Sequence, residues 1–291
     1  MKKAIKICLF LFLALILGIV HAQGQRTIKR KVAIARFSNE TQYAKGLFYD
    51  RENDPMQKQA MDILSSKLAA SGKFILLERN DLDAIIAEGG SAMNKIGADY
   101  IIVGSITEYG RKTEGQQKVF SSTKTQTVEA GVSIRIVDVS TGLIIYSDEA
   151  KGFAETTVKQ SMGLGATAGF DATLSDKAIS AALSQLVENI INKCMDKPWR
   201  SYILSVDNDI FIIGGGQSQG LQVGDIFSVY QKGNEVFNPQ TGVKIELPGT
   251  KIGQVLIQSF YGDTAETEIS FCQYEGEAVN VSKLTDYYIQ N

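Results

Sequence analysis

Residues 98–109 read ADYIIVGSITEY, and residues 132–146 read VSIRIVDVSTGLIIY. Tyr100 to Val103 is an unbroken apolar run, the pattern of a strand covered on both faces. In the second stretch Val132, Ile134, Ile136 and Val137 lead into Ser140-Thr141-Gly142, and Leu143 to Tyr146 follow; apolar runs on either side of a glycine turn predict a hairpin. Working outward, Lys31 to Phe37 reads as a strand and Ser38 to Pro55 as a polar loop. Met56 to Ala70 carries Ala60, Ile63, Leu64 and Leu68 at helical spacing. Phe74 to Leu77 is a strand, and Asn80 caps a short helix through Leu82, Ile85 and Ile86. Ser175 to Met195 places Ile179, Leu183, Leu186, Val187, Ile190, Ile191 and Cys194 on one stripe. The expected fold class is α/β, a mixed sheet with packed helices, over residues 31–198.

After Lys197-Pro198-Trp199 the texture changes. Ile210 to Ile213, Ile226 to Tyr230, Ile252 to Phe260 and Thr264 to Ile269 read as short strands separated by glycine-rich turns such as Gly214-Gly215-Gly216 and Asn238 to Gly242. Residues 199–291 are expected to form a small all-β, barrel-like domain.

The first 22 residues stand apart. Lys2, Lys3 and Lys6 precede an apolar run of 14 residues, Ile7 to Val20, and Val20-His21-Ala22 resembles a small-x-small cleavage site. These are the parts of a secretory signal peptide, and the run is shorter than the roughly 20 residues a bilayer-spanning helix needs. Residues 23–30 then read as a polar linker. Cleavage removes three of the 30 basic side chains, leaving 27 against 32 acidic ones, a net charge of −5. That balance argues against nucleic acid as a partner. Cleavage also removes His21, the single histidine, which excludes Ser-His-Asp and Cys-His catalysis and histidine-based zinc sites. The chain is expected to be exported to the periplasm or outer membrane and to work there without enzymatic activity, metal or cofactor. Cys194 and Cys272 remain. They either pair or stay as two separate buried thiols, and the apolar helical setting of Cys194 favours the second.

Three motifs have plainer readings. Gly163 to Ala168 fits G-x-G-x-x-A, but the polar stretch Thr156 to Ser161 stands where a dinucleotide site needs a buried strand. The acid pairs Asp148-Glu149 and Asp81/Asp83 read as solvated, Asp148-Glu149 on an exposed turn. Between residues 158 and 170 the apolar side chains Val158, Met162, Leu164, Ala166, Ala168 and Phe170 occupy even positions and small or polar ones the odd positions. Period two of this kind marks a membrane β-strand face. Glycine weakens strands, however, and Thr113 to Thr127 offers no apolar partner series. The residues themselves favour a loop, with segments 110–130 and 152–172 as candidate hairpin insertions.

KVAIARFSNET (residues 31–41), Leu77-Glu78-Arg79 with Leu82 to Glu88, GADYIIVGSITEY and SIRIVDVSTGLII stand in an order that resembles the CsgG-type curli secretion channel family over about residues 31–196. Gly220 to Tyr230 resembles the C-terminal domain of a flagellar assembly protein, the T protein. The first resemblance implies a ring-shaped homo-oligomer at the outer membrane, serving secretion or assembly of extracellular protein cargo, in which two hairpins per subunit close one barrel. It also implies a constriction loop bearing a tyrosine, an asparagine four residues later, and then a phenylalanine. Tyr49 and Asn53 keep that spacing, while Asp54 stands where the phenylalanine would follow. A lipidated cysteine at the start of the mature chain, usual in the family, has no counterpart: Cys8 lies inside the leader and lacks the lipidation context. A soluble periplasmic scaffold is the alternative reading.

Overall fold

The computed structural model describes residues 27–42, 54–77, 97–118, 121–161, 171, 173–240, 242, 244–265 and 267–291. The proposed leader and the short helix expected after Asn80 lie outside them.

The first half is a two-layer α/β unit. Strands β1 (Arg30–Asn39), β2 (Phe74–Leu77), β3 (Tyr100–Lys118), β4 (Ser121–Asp138) and β5 (Ile144–Ser161) form one sheet in the order β2-β1-β3-β4-β5. β1 runs parallel to β2 and β3, whereas β3, β4 and β5 are antiparallel neighbours. The sheet is therefore mixed. Helices α1 (Pro55–Ala70) and α2 (Thr173–Met195) pack on one face. Alternation along β4 buries Val128, Ala130, Val132, Ile134 and Ile136 against the stripe of α2 containing Ile179, Leu183, Leu186 and Ile190. Fully burying one such aliphatic side chain stabilises the fold by about 1.5–3 kcal/mol. The β4–β5 connection is a tight turn. Gly142 sits at φ +70°, a left-handed conformation that favours glycine, and its N–H donates to the Asp138 carbonyl at 2.8 Å.

The second half is all β. Strands β6 (Arg200–Ser201), β7 (Ile203–Asp207), β8 (Ile210–Gly214), β9 (Ile226–Gln231), β12 (Thr250–Tyr261), β13 (Ile269–Gly276) and β14 (Tyr287–Gln290) form a seven-stranded sheet in the order β6-β14-β9-β12-β13-β8-β7. β6 and β7 are consecutive in the chain, with only Tyr202 between them, yet they occupy opposite ends of the sheet. One short stretch thus draws both edges together, which makes the sheet nearly a closed barrel. Trp199, Phe211, Ile213, Phe227, Val229, Val255 and Ile257 fill it. A separate ribbon, β10 (Glu235–Phe237) with β11 (Lys244–Glu246), stands beside it.

Within the candidate hairpin insertion 110–130, Thr113 to Lys118 continue β3 and Ser121 to Thr127 begin β4. Two expectations are corrected. Asp148 and Glu149 lie within β5, not on a turn. Thr264 is in a turn, where its carbonyl accepts from Thr267 N at 3.0 Å and Glu268 N at 2.9 Å, so that strand begins only at Ile269. The cysteines are free and buried, Cys194 in the first core and Cys272 in the second. Burial pushes each thiol up to about 12.

One polar knot ties the end of α2 to the first sheet. The Arg30 guanidinium, buried at the start of β1, donates to the carbonyls of Cys194 (3.4 Å) and Lys197. A cation there complements the negative end of the helix. Beside it the buried Asp138 accepts from Lys197 Nζ at 2.5 Å and from the Ser140 backbone N–H at 2.9 Å. Burial by itself works to raise the Asp138 pKa; the hydrogen bonds from Lys197 and Ser140 outweigh it, and the carboxyl is held below the usual carboxylate range. A folded-state pKa below the unfolded one gives stability that is present above the unfolded value and lost as pH falls through the folded one. In urea titrations Asp138→Asn is expected to lower stability at neutral pH, with the gap to the parent narrowing once pH drops below about 4. A gap that stays constant down to strongly acid pH would contradict this role.

Candidate functional site

Strands β3, β4 and β5 span 19, 18 and 18 residues, far longer than the usual five or six. Their register continues without a break from Tyr109↔Ala130 to Lys118↔Ser121 and from Ala130↔Gly152 to Ser121↔Ser161. Burial stops sooner. Ile106 and Val128 are fully buried, whereas Arg111 to Gln116 are exposed. The three strands therefore run past the helices as a projecting arm. Backbone ladder hydrogen bonds sustain it, helped by the β-branched Thr113, Thr123, Thr125 and Thr127.

The root of the arm is fastened to the start of α2. The hydroxyls of Tyr109 and Ser175 are 2.5 Å apart, and Arg111 Nε donates to the Tyr109 hydroxyl at 2.9 Å. The buried Gln126 accepts from Asp171 N at 2.9 Å. Farther along α2, the Asp148 carboxylate accepts from the Tyr146 hydroxyl (2.7 Å) and Asn189 Nδ2 (3.0 Å). The Tyr146 bond, aided by Asn189, holds Asp148 below its ordinary pKa against a smaller opposing effect of burial. On the other face, Lys151 meets Glu108, and Glu129 lies 4.0 Å away. The hydrogen bond to Glu108 raises the Lys151 pKa. These groups are solvent-exposed, so they contribute to the arm's surface pattern more than to stability.

β5 is the edge strand of its sheet. Among the described residues no strand pairs with its outer side. A long edge of unpaired N–H and C=O groups is a template for pairing with another chain. Helix α2 fixes where that edge lies. At Gly152, a Cβ would come within 2.0 Å of the Ala178 carbonyl and 2.4 Å of Ala182 N, so glycine is what allows helix and strand backbones to touch. Gly152→Ala is expected to push α2 off β5 and destabilise the chain by about 1–3 kcal/mol, read by denaturant unfolding; unchanged stability would show that the contact is looser than described.

The residues singled out from sequence are not brought together here. Tyr49, Asn53, Met162, Leu164, Ala166, Ala168 and Phe170 all lie outside the described residues. Of the alternating stretch only Val158 to Ser161 is described; it belongs to β5, which corrects the loop expected there. Sequence reasoning missed the anchor on both sides of segment 43–53. Asn39, Thr41 and Asp54 are buried together. Asn39 Nδ2 donates to Asp54 Oδ2 at 2.8 Å, its Oδ1 accepts from Thr41 N at 3.0 Å, and Asp54 Oδ1 caps α1 by accepting from Met56 N at 2.8 Å. Asp54, which departs from the resemblance, is thus a helix cap, and Asp-Pro ahead of an apolar-periodic run was its signal. Asp54→Ala removes the cap and leaves buried Asn39 without this acceptor; thermal denaturation is expected to show a loss of about 2–4 kcal/mol.

Among the described residues no group of three or more His, Cys, Asp or Glu side chains is placed to hold a metal ion, and no helix is long and apolar enough to cross a membrane. A family model described as "Curli production assembly/transport component CsgG" matches residues 17–211. A protein of Neisseria meningitidis serogroup B, named as a lipoprotein, is 32% identical over 179 residues, covering 60% of this chain and 80% of the relative. Among solved structures, a hypothetical protein of Chlamydia trachomatis is 16% identical with a TM-score of 0.33, covering 58% of this chain and 99% of that one. A PelC dodecamer from Paraburkholderia phytofirmans is 14% identical with a TM-score of 0.28, covering 56% and 90% respectively.

Proposed function

Because the chain belongs to the family of the curli production assembly/transport component, we propose that this envelope protein works as a ring of identical subunits at the outer membrane, serving secretion or assembly of extracellular protein. It acts through surfaces and self-association and not as an enzyme. The observation that supports this most is the arm. β3 to β5 carry a continuous antiparallel ladder beyond the core and end in an open edge at β5. An open edge of that length finds its hydrogen-bond partners most readily in a second copy of the same arm, and closure of a ring is the way repeated edge pairing terminates. The strands of the arm are already formed in the single chain, so pairing needs no coil-to-strand transition over the described residues.

A soluble periplasmic scaffold is the second reading. One feature favours it: neither face of the described arm beyond residue 110 carries an apolar series. Lys112, Glu114 and Gln116 alternate with Arg111, Thr113 and Gly115, and all are exposed. A lipid-facing barrel strand is apolar on alternate residues.

The two readings separate in a direct experiment. Mature protein is purified in detergent and in detergent-free buffer, cross-linked, and imaged by electron microscopy. Closed rings with a central opening are expected in detergent, together with cross-links between cysteines introduced at Thr157 on neighbouring copies. A monomer under both conditions would overturn the ring, and quantitative release from membranes by a salt wash would favour the scaffold.

A further inference from the structure

The two halves of the chain face each other across a cleft of about 890 Å3. One wall comes from the start of β1, from residues 97–100 and from the β4–β5 turn; the other comes from residues 198–202, Leu204, Gly214 and Gln290. Five cations line it: Arg30, Lys31, Lys197, Arg200 and Lys232. Three carboxylates face them, Asp99, Asp138 and Glu246. The cleft is thus locally positive on a chain whose formal net charge is −2.

The structure already uses two of the five cations. Arg30 caps α2, and Lys197 pairs with Asp138. Among the described residues, no carboxylate lies in ion-pair contact with Lys31, Arg200 or Lys232. Arg200 is held by stacking, its guanidinium carbon 3.8 Å from the centroid of the Tyr288 ring. A stacked guanidinium keeps its N–H donors in its own plane, available to an acceptor. Asp99 accepts the Lys31 backbone N–H at 2.8 Å. Tyr202 and Leu204, on the same wall as Arg200, are 52% and 54% exposed.

We propose that this cleft binds an extended acidic peptide segment of a partner protein. Lys31, Arg200 and Lys232 sit on three separate segments, namely β1, β6 and the residue that follows β9. Three cations on three segments suit an acceptor that carries several carboxylates, each able to meet one of them. Exposed Tyr202 and Leu204 offer apolar contact beside the charges, which suits side chains of mixed character. A bilayer surface is flat and is met by protruding basic groups, whereas these line a concavity. This inference stands apart from the edge-pairing of β5, since the two surfaces belong to different elements.

The test uses full-length mature protein and a fluorescein-labelled octapeptide of alternating glutamate and leucine, with a lysine–leucine octapeptide as control, read by fluorescence anisotropy. Selective binding of the acidic peptide is expected at low ionic strength, weakening at high salt as exposed charges are screened. The triple variant Lys31→Gln, Arg200→Gln, Lys232→Gln is expected to lose about tenfold or more in affinity. Glu246→Gln, which removes an opposing carboxylate, is expected to tighten binding and gives a readout of opposite sign that misfolding cannot mimic. Equal binding of the basic peptide, no binding at low salt, or affinity unmoved by both variants would overturn the proposal. So would binding of inorganic phosphate or phosphatidylglycerol vesicles that the triple variant abolishes while peptide binding persists.

Discussion

Helix α2 lies against β4 and β5 with backbone touching backbone at Gly152, and the rest of the first half follows from that contact. It fixes which face of the sheet is core, because the buried alternation on β4 has to meet the aliphatic stripe of α2. It also sets where the helix begins, and so where the sheet stops being covered. Beyond that point the same three strands continue on hydrogen bonds alone. The arm is thus a consequence of strands outrunning their helix, and its polar surface suits a segment that no described helix covers.

The free edge of β5 is the feature most open to consequence. Proteins blunt exposed edges with charge, proline or short length. β5 is long and without proline, and its charges, Asp148, Glu149, Lys151, Glu155 and Lys159, leave most of its length uncharged. Family membership supplies a setting in which an unprotected edge is useful, since a subunit meant to join its neighbours needs one. The second half is built on the opposite principle. There, the stretch from Arg200 to Asp207 serves both ends of the sheet and brings its edges together. Edge exposure is therefore concentrated where self-association is proposed.

The covered elements were legible in the sequence, and the uncovered ones were not. Period and caps place α1, β2 and α2 within a residue or two, because burial writes an apolar rhythm into those segments. The sequence 111–127 carries no such rhythm: its strand state is a property of ladder pairing, which a single segment does not encode. β6, β7 and β14 were missed because they are short and their pairing depends on distant residues. The Asn39–Asp54 anchor was legible only in part. Asp-Pro signals a helix start, but the join to Asn39 depends on how β1 and α1 come together. The family was legible from motif order, while the residues expected to line a constriction or face lipid fall outside the described segments.

Amide hydrogen exchange along β5 tests the central claim most directly, comparing dilute monomer with the assembled form. The account predicts that outward-pointing amides between residues 152 and 161 exchange quickly in the monomer and become protected on assembly, while amides directed at β4 are protected in both. Outward amides that exchange at the same rate in both states would show that β5 is not the joining edge.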